Sequence, residues 1–232
     1  MMKSTGTNPD IEILFEDNHL LVVNKPKGVL SQEDHTKEPD LLNLCKQYIK
    51  SSTNKPGNVF LGLLHRLDKP VSGVMAFGKT SKAASRISEQ IRKRTLKKTY
   101  LAVVEGNIPP NGYLTHYLFK DEKTNVVKSV KKGARGAKEA QLTYVRLEVS
   151  ENLSLIQVNL ITGRAHQIRV QLQAHGFPIW GDRKYGTSNR ATIALHAYEL
   201  TLVHPTLKKE QTFRAIPERI EPWLKFSHII EE

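Results

Sequence analysis

A polar centre held between two apolar runs constrains this chain most. Residues Leu61 to Thr80 read LGLLHRLDKPVSGVMAFGKT. Leu61, Leu63 and Leu64 lead in; Val74, Met75, Ala76 and Phe77 lead out. Apolar runs bounded by turn residues predict buried strands. His65, Arg66, Asp68 and Lys69, closed by Pro70 and Gly73, then form a loop on a rigid scaffold, where catalytic groups concentrate. A carboxylate between two core strands must be paired or employed, because burying it alone is costly. Two readings of Asp68 stand at this point: a turn residue ion-paired with Arg66, or a functional carboxylate.

The 232 residues suffice for one large domain or two small ones. The net charge of +12 favours a polyanionic partner, nucleic acid before anionic membrane, over a merely soluble basic protein. Cys45 is the only cysteine, so no disulfide forms within the chain, and a thiolate zinc site is not expected. Its place in LLNLCKQYI predicts a core position. The histidines are dispersed, so no metal site is expected. No apolar run is long enough to span a membrane. Residues 1–10 read as a loose leader without a signal-peptide core, and the cytoplasm is the expected compartment.

Strands are predicted at Ile11–Phe15, Leu20–Val23, Tyr100–Val104, Ala140–Leu147, Leu153–Leu160, Thr192–Val203 and Gln211–Ala215. Asn24–Gly28, NKPKG, reads as a turn with solvated lysines. Asp40 and Thr80 read as caps of helices over Leu41–Ile49 and Ser81–Arg94, and 51–57 as a polar connection. The second helix carries Lys82, Arg86, Arg92, Lys93 and Arg94 on one face, either a solvated surface or an RNA footprint. Phe119–Lys138 is rich in lysine and glycine and reads as an exposed hairpin or flexible loop facing a phosphate backbone. A helix is expected over Arg164–His175, ending at Gly176, and a short one over Glu221–Phe226. Arg169 lies beside the helix's apolar stripe of Ala165, Ile168 and Leu172. Half buried there, it calls for a carboxylate, with Asp68 the candidate; a plain surface arginine is the alternative. Strands outnumber helices, which predicts an α+β fold on a mostly antiparallel sheet.

Several blocks together resemble the RluA-type RNA pseudouridine synthases. One is His65, Arg66, Leu67, Asp68 followed by Ser72 and Gly73. Another is GRAHQIR, Gly163 to Arg169, followed by His175, Pro178, Gly181, Asp182, Tyr185 and Gly186. ILFEDNHLLVVNKPKG, KKTYLAVVEG and ALHAYELTLVHP are similar to further family blocks in the family's order. The resemblance runs from about Ile11 to Pro217. Val71 and Ala165 stand where the family often has threonine, positions with no chemistry assigned. Because the blocks begin almost at once, a stand-alone catalytic domain over 11–232 is expected, without the S4-type domain many relatives carry.

The resemblance implies the pseudouridine synthase fold, a mostly antiparallel mixed sheet with flanking helices. It implies isomerisation of uridine in rRNA or tRNA: the N1–C1′ bond breaks, the base turns, and it rejoins through C5. Atoms and electrons are conserved, so no cofactor or metal is called for. The catalytic set implied is Asp68 as nucleophile, Arg169 as the guanidinium that aims it, and Tyr100 packing on the uracil and helping remove the C5 proton. Arg66 is expected to fill the place of the flipped base, and Leu195 to give an apolar wall. The motifs also assign His65, Arg164, His166 and Gln167 to RNA binding. RNA is the expected partner, with no membrane, no obligate protein partner, and a monomeric state. Two alternatives are kept: a non-catalytic RNA-binding or ribosome-assembly module, and a nucleoside hydrolase or glycosidase. The latter usually needs a second carboxylate, and none stands out near Asp68 or Arg169.

Overall fold

The computed structural model describes residues 11–53, 57–186 and 192–231. The expected leader at 1–10 and part of the 51–57 connection lie outside them. The strands are β1 (Glu12–Glu16), β2 (Leu20–Lys25), β3 (Gly62–Leu63), β4 (Ser72–Gly78), β5 (Lys97–Glu105), β6 (Asn111–Asp121), β7 (Val126–Val130), β8 (Lys138–Ser150), β9 (Leu153–Leu160), β10 (Leu195–Val203) and β11 (Glu210–Arg214). The helices are α1 (Leu41–Thr53), α2 (Ser81–Lys93), α3 (Gln167–Ala174) and α4 (Ser227–Ile230), the last preceded by a 3-10 turn at Trp223–Phe226.

All these strands form one sheet in the order β1-β2-β4-β10-β5-β9-β8-β6-β7, with β3 on β4 and β11 on β10. Every named pair is antiparallel except β4 with β10. The apolar runs of β2 and β4 are unbroken because both faces are covered. Leu20, Val22, Val74 and Ala76 pack with Ile87 of α2, whereas Leu21, Val23, Met75 and Phe77 pack with Leu41, Cys45 and Ile49 of α1. Burial pushes the Cys45 thiol up to about 12, as suits a core residue. The predicted caps are present: Thr80 Oγ1 accepts from Ala83 N at 3.1 Å, and Asp40 Oδ1 from Asn43 N at 3.1 Å.

The parallel pair brings the site together. His196 opposes Ser72, and Leu195 opposes Ala102. The start of β4, the start of β10 and the middle of β5 therefore meet. Gly73 makes this possible: it takes φ +117, and a Cβ there would sit 2.3 Å from the Ala197 carbonyl oxygen.

Several expectations are changed or sharpened, among them the end of α1, which runs on to Thr53 rather than stopping at Ile49. The helix expected from Arg164 begins at Gln167, because His166 adopts a left-handed φ of +51. The Gln167 carboxamide instead closes the preceding turn, accepting from Thr162 Oγ1 at 2.8 Å and Arg164 N at 2.9 Å. The Phe119–Lys138 segment is a hairpin, and its first strand, β6, reaches back to Asn111. The NKPKG lysines are not both solvated: Lys25 is fully buried.

Candidate active site

The loop carrying Asp68 is pinned from several directions. Lys25 Nζ donates to the carbonyls of Pro26, Lys69 and Val71 at 2.9, 3.2 and 2.7 Å. Burial pushes its pKa down to about 7, partly offset by the Asp68 charge. Ser31 Oγ donates to Leu67 O at 2.7 Å and accepts from Leu67 N at 3.0 Å. His65 turns inward, its Nε2 accepting from Ala76 N at 3.1 Å. Burial, and then Lys98, push its pKa down to about 3, so the ring stays neutral. Ser72 Oγ lies 2.8 Å from His196 Nδ1, and His196 Nε2 donates to Ala215 O at 2.9 Å.

Arg169 projects from α3 toward this loop. Its Nη1 donates to Asp68 Oδ2 at 2.9 Å. Its Nε and Nη2 form a fork on Asp182, both at 2.8 Å. Asp182 also accepts from the amides of Lys184 and Tyr185 at 2.9 and 3.1 Å, and Tyr185 stacks beside the guanidinium, 5.1 Å from ring centroid to Cζ. Burial opposes the Arg169 charge, but the two carboxylates outweigh it and push its pKa up. The Arg169 side chain is 7% exposed and that of Asp182 1%, against 25% for Asp68. Of the three charges, Asp68 is the one presented to solvent. The turn pairing of Asp68 with Arg66 is not what the structure contains, and Arg169 is more deeply buried than its stripe position implied.

Asp68 opens into a cleft of ≈ 1300 Å³. Arg92, Arg94, Lys97 and Lys98 line it from the end of α2 and the start of β5, with Arg164, Lys120 and Lys184 also on its lining. Arg86 is not among these; its Nη1 donates to Pro205 O at 2.8 Å. At the cleft floor a smaller recess is lined by Asp68, Tyr100, Leu160, Arg169 and Leu195. Burial, and then the Asp68 charge, push the Tyr100 phenol up, so it stays protonated. Negative charge on Asp68 beside an apolar, aromatic-walled recess suits attack on a flat heterocycle or its sugar, with the surrounding cations holding phosphates.

The other expected residues fall into two groups. Arg66 and Arg164 are exposed on the cleft, Arg164 Nε donating to Glu139 O at 2.9 Å. His166 stands with Nε2 3.8 Å from Asp68 Oδ1, and its Nδ1 is 2.5 Å from the Tyr185 hydroxyl. Burial lowers its pKa, against the raising effect of Asp68. Gln167 instead faces inward, buried with its amide donating to Gln141 O at 3.0 Å, while His65 lines the cleft with its Nε2 taken up by the Ala76 amide. Asp182 and Lys25 were assigned no role from sequence. GDRKYG and NKPKG, the segments that hold them, were the available signals. Among the described residues no cluster of three or more His, Cys, Asp or Glu is placed to hold a metal ion.

Residues 19–174 match the RNA pseudouridylate synthase family. The chain is 35% identical over 205 residues to the uncharacterized RNA pseudouridine synthase YhcT of Bacillus subtilis, covering 84% of this chain and 65% of that protein. It thus spans about two thirds of that relative's length. It is 34% identical over 217 residues to the dual-specificity RNA pseudouridine synthase RluA of Escherichia coli, covering 89% of this chain and 93% of that one. Among solved structures, Human RNA Pseudouridylate Synthase Domain Containing 4 superposes with a TM-score of 0.73 at 25% identity, covering 95% of this chain and 93% of that chain.

Proposed function

The chain belongs to the RNA pseudouridylate synthase family, and from that premise we propose that it isomerises specific uridines in rRNA or tRNA to pseudouridine. The observation that carries this reading is the 2.9 Å contact between Arg169 and Asp68 at the floor of a basic cleft. It supports a carboxylate held ready where an RNA strand can reach it.

In this reading residues 11–232 act as one catalytic domain, which the single continuous sheet supports. The target uridine leaves its stack, at a cost of a few kcal/mol, and enters the recess. Arg66 fills the vacated place, and Leu195 and Tyr100 hold the base between an apolar wall and a ring. Asp68 supplies the nucleophilic carboxylate that drives cleavage of the N1–C1′ bond. The base turns, a C5–C1′ bond forms, and the proton lost from C5 is balanced by one gained at N1. The buried Tyr100 is a neutral phenol and relays that C5 proton by taking it on its oxygen as its own hydroxyl proton passes to the Asp68 carboxylate. Arg164 and His166 contact the RNA, while His65 and Gln167 support the site by bracing its loops. No step takes or gives electrons, so no cofactor is required. The protein acts as a cytoplasmic monomer with RNA as its partner and no obligate protein partner.

The test is pseudouridine mapping of rRNA and tRNA from cells with and without the gene. The reading expects one or a few sites to disappear and to return with the wild-type chain. Unchanged maps contradict it. Release of free uracil from RNA incubated with the protein would instead mark a glycosidase.

A further inference from the structure

One face of the sheet is open on β6, β7 and the part of β8 that opposes them. Directly opposed residues on neighbouring strands share a face. Phe119 opposes Lys128, and Tyr117 opposes both Val130 and Glu139. Tyr113 opposes Thr143, which opposes Asn159, which opposes Thr99. The intervening Leu114 and Leu118 point the other way and are buried, Leu118 packing with Val170 of α3. Tyr113 is 57% exposed and Phe119 39%. Tyr113 and Phe119, with the half-buried Tyr117 between them and its hydroxyl 3.4 Å from Glu139 Oε2, form a patch that asks for a partner.

Charge indicates which partner. The segment from Lys120 to Lys138 holds seven Lys or Arg against two Asp or Glu. Its 131–137 turn curls onto this same face: a Cβ on Gly136 would lie 3.3 Å from the Phe119 ring. Lys128, opposite Phe119, is exposed on this face, and Lys131 and Arg135 are exposed at the end of β7 and on the turn beside it. Two copies of the chain meeting on this face would bring like charges together, whereas a polyanion would neutralise them.

The face is also continuous with the cleft. Thr99 Oγ1 donates to Asn159 Oδ1 at 3.0 Å, and both residues line the cleft. Tyr113 stands in the same cross-strand row, three strand spacings or about 14 Å from Thr99. Arg164, on the cleft, is bonded to the carbonyl of Glu139, the residue opposite Tyr117.

We propose that this face is a second RNA-contact surface, on which unpaired bases flanking the target nucleotide stack on Tyr113 and Tyr117 while Lys128, Lys131 and Arg135 hold their phosphates. It rests on the functional reading above and extends it beyond the cleft. Stacking on an aromatic is tolerant of sequence, so the face adds affinity for single-stranded flanks without choosing the uridine. Tyr113 and Tyr117 are about 13 Å apart along β6, so they receive separate bases.

The test measures binding of the full chain by fluorescence anisotropy. Two labelled probes are used, a stem-loop RNA with a uridine-rich loop and the same stem-loop with single-stranded uridine tails. Tyr113→Ala and Tyr117→Ala are each expected to weaken binding of the tailed RNA at least about fivefold and to leave the untailed RNA unaffected. Tyr113→Phe keeps the ring and should bind like wild type. Photocrosslinking from 4-thiouridine in the tails should label peptides containing Tyr113 or Tyr117, a readout independent of any variant. Equal affinity of both alanine variants for the tailed RNA, with crosslinks elsewhere, overturns the proposal. So does a wild-type dimer that Tyr113→Ala dissociates, which assigns the face to a second copy. If the wild type isomerises RNA and the variants match it in affinity for the tailed RNA, the platform alone falls. If the wild type neither binds nor isomerises RNA, the functional reading falls and the platform with it.

Discussion

Arg169 holds Asp68 with one edge of its guanidinium, Nη1 to Oδ2 at 2.9 Å, while its other edge is locked in a fork on Asp182. The two carboxylates are not equivalent. Asp182 is buried and further fixed by two backbone amides, so it sets the plane of the guanidinium. Asp68 is the partner that opens to the cleft. Orientation of the Asp68 carboxylate therefore depends on Asp182, which lies behind the guanidinium and is almost fully buried.

That dependence predicts the effect of Asp182→Ala. It leaves half of a buried guanidinium without its partner, a loss of about 3–5 kcal/mol in comparable cases. Urea denaturation should show a fall in stability of that order, and single-turnover isomerisation should slow with it. A variant as stable and as fast as wild type would remove Asp182 from the account.

Tyr100 stays a phenol at working pH, because burial and the neighbouring Asp68 both push its pKa up. The rate should therefore show no inflection assignable to tyrosine ionisation up to pH 9. Tyr100→Phe keeps the ring and deletes the hydroxyl. Loss of a proton relay should slow turnover by about 100-fold or more, with RNA affinity within about twofold of wild type if the ring alone provides the packing. Undiminished turnover would limit Tyr100 to packing.

Lys25→Met should act on the Asp68 loop without touching RNA. The Lys69 and Val71 carbonyls lose a donor, costing about 1–3 kcal/mol for a buried polar group left unmet. We expect a lower melting temperature and a reduced single-turnover rate constant, with RNA affinity unchanged. Weakened RNA binding at full chemical rate would instead make Lys25 a surface contact.

Acid should destabilise the fold through two neutral histidines. His196 is held down to about 4 and His65 to about 3, both chiefly by burial. The unfolded chain binds those protons below about pH 6.5, where the folded chain does not. Stability is therefore full above pH 6.5 and falls as pH drops toward 4, by roughly 3 kcal/mol for His196 alone. Urea midpoints at pH 7 and pH 4.5 should differ accordingly, and less so in His196→Gln. A flat profile in the wild type contradicts the assignment.

What the sequence revealed was local. The apolar runs around HRLD specify strands by themselves, and the place of Arg169 beside an apolar stripe left a carboxylate partner and a surface arginine both open until the fold buried it. What it concealed depends on distant contacts. Lys25 is buried because carbonyls from a loop about 44 positions away receive its ammonium, which no local pattern encodes. Asp182 sits in a turn-rich segment like any other until the fold sets it against Arg169. The early start of β6 escaped because its one-sided alternation places Tyr113, Thr115 and Phe119 in solvent, so the run looks polar and irregular. The late start of α3 turns on one left-handed residue, His166, whose side chain reaches Tyr185 and Asp68, contacts no local pattern encodes.

The most direct test of the account is Asp68→Asn. The variant keeps the size and most hydrogen bonding of the carboxyl group but lacks its charge. With RNA carrying tritium at C5 of uridine, tritium release and RNA affinity can be measured on one preparation. The account predicts release reduced to background while binding stays near wild type. Release at the wild-type rate would contradict it.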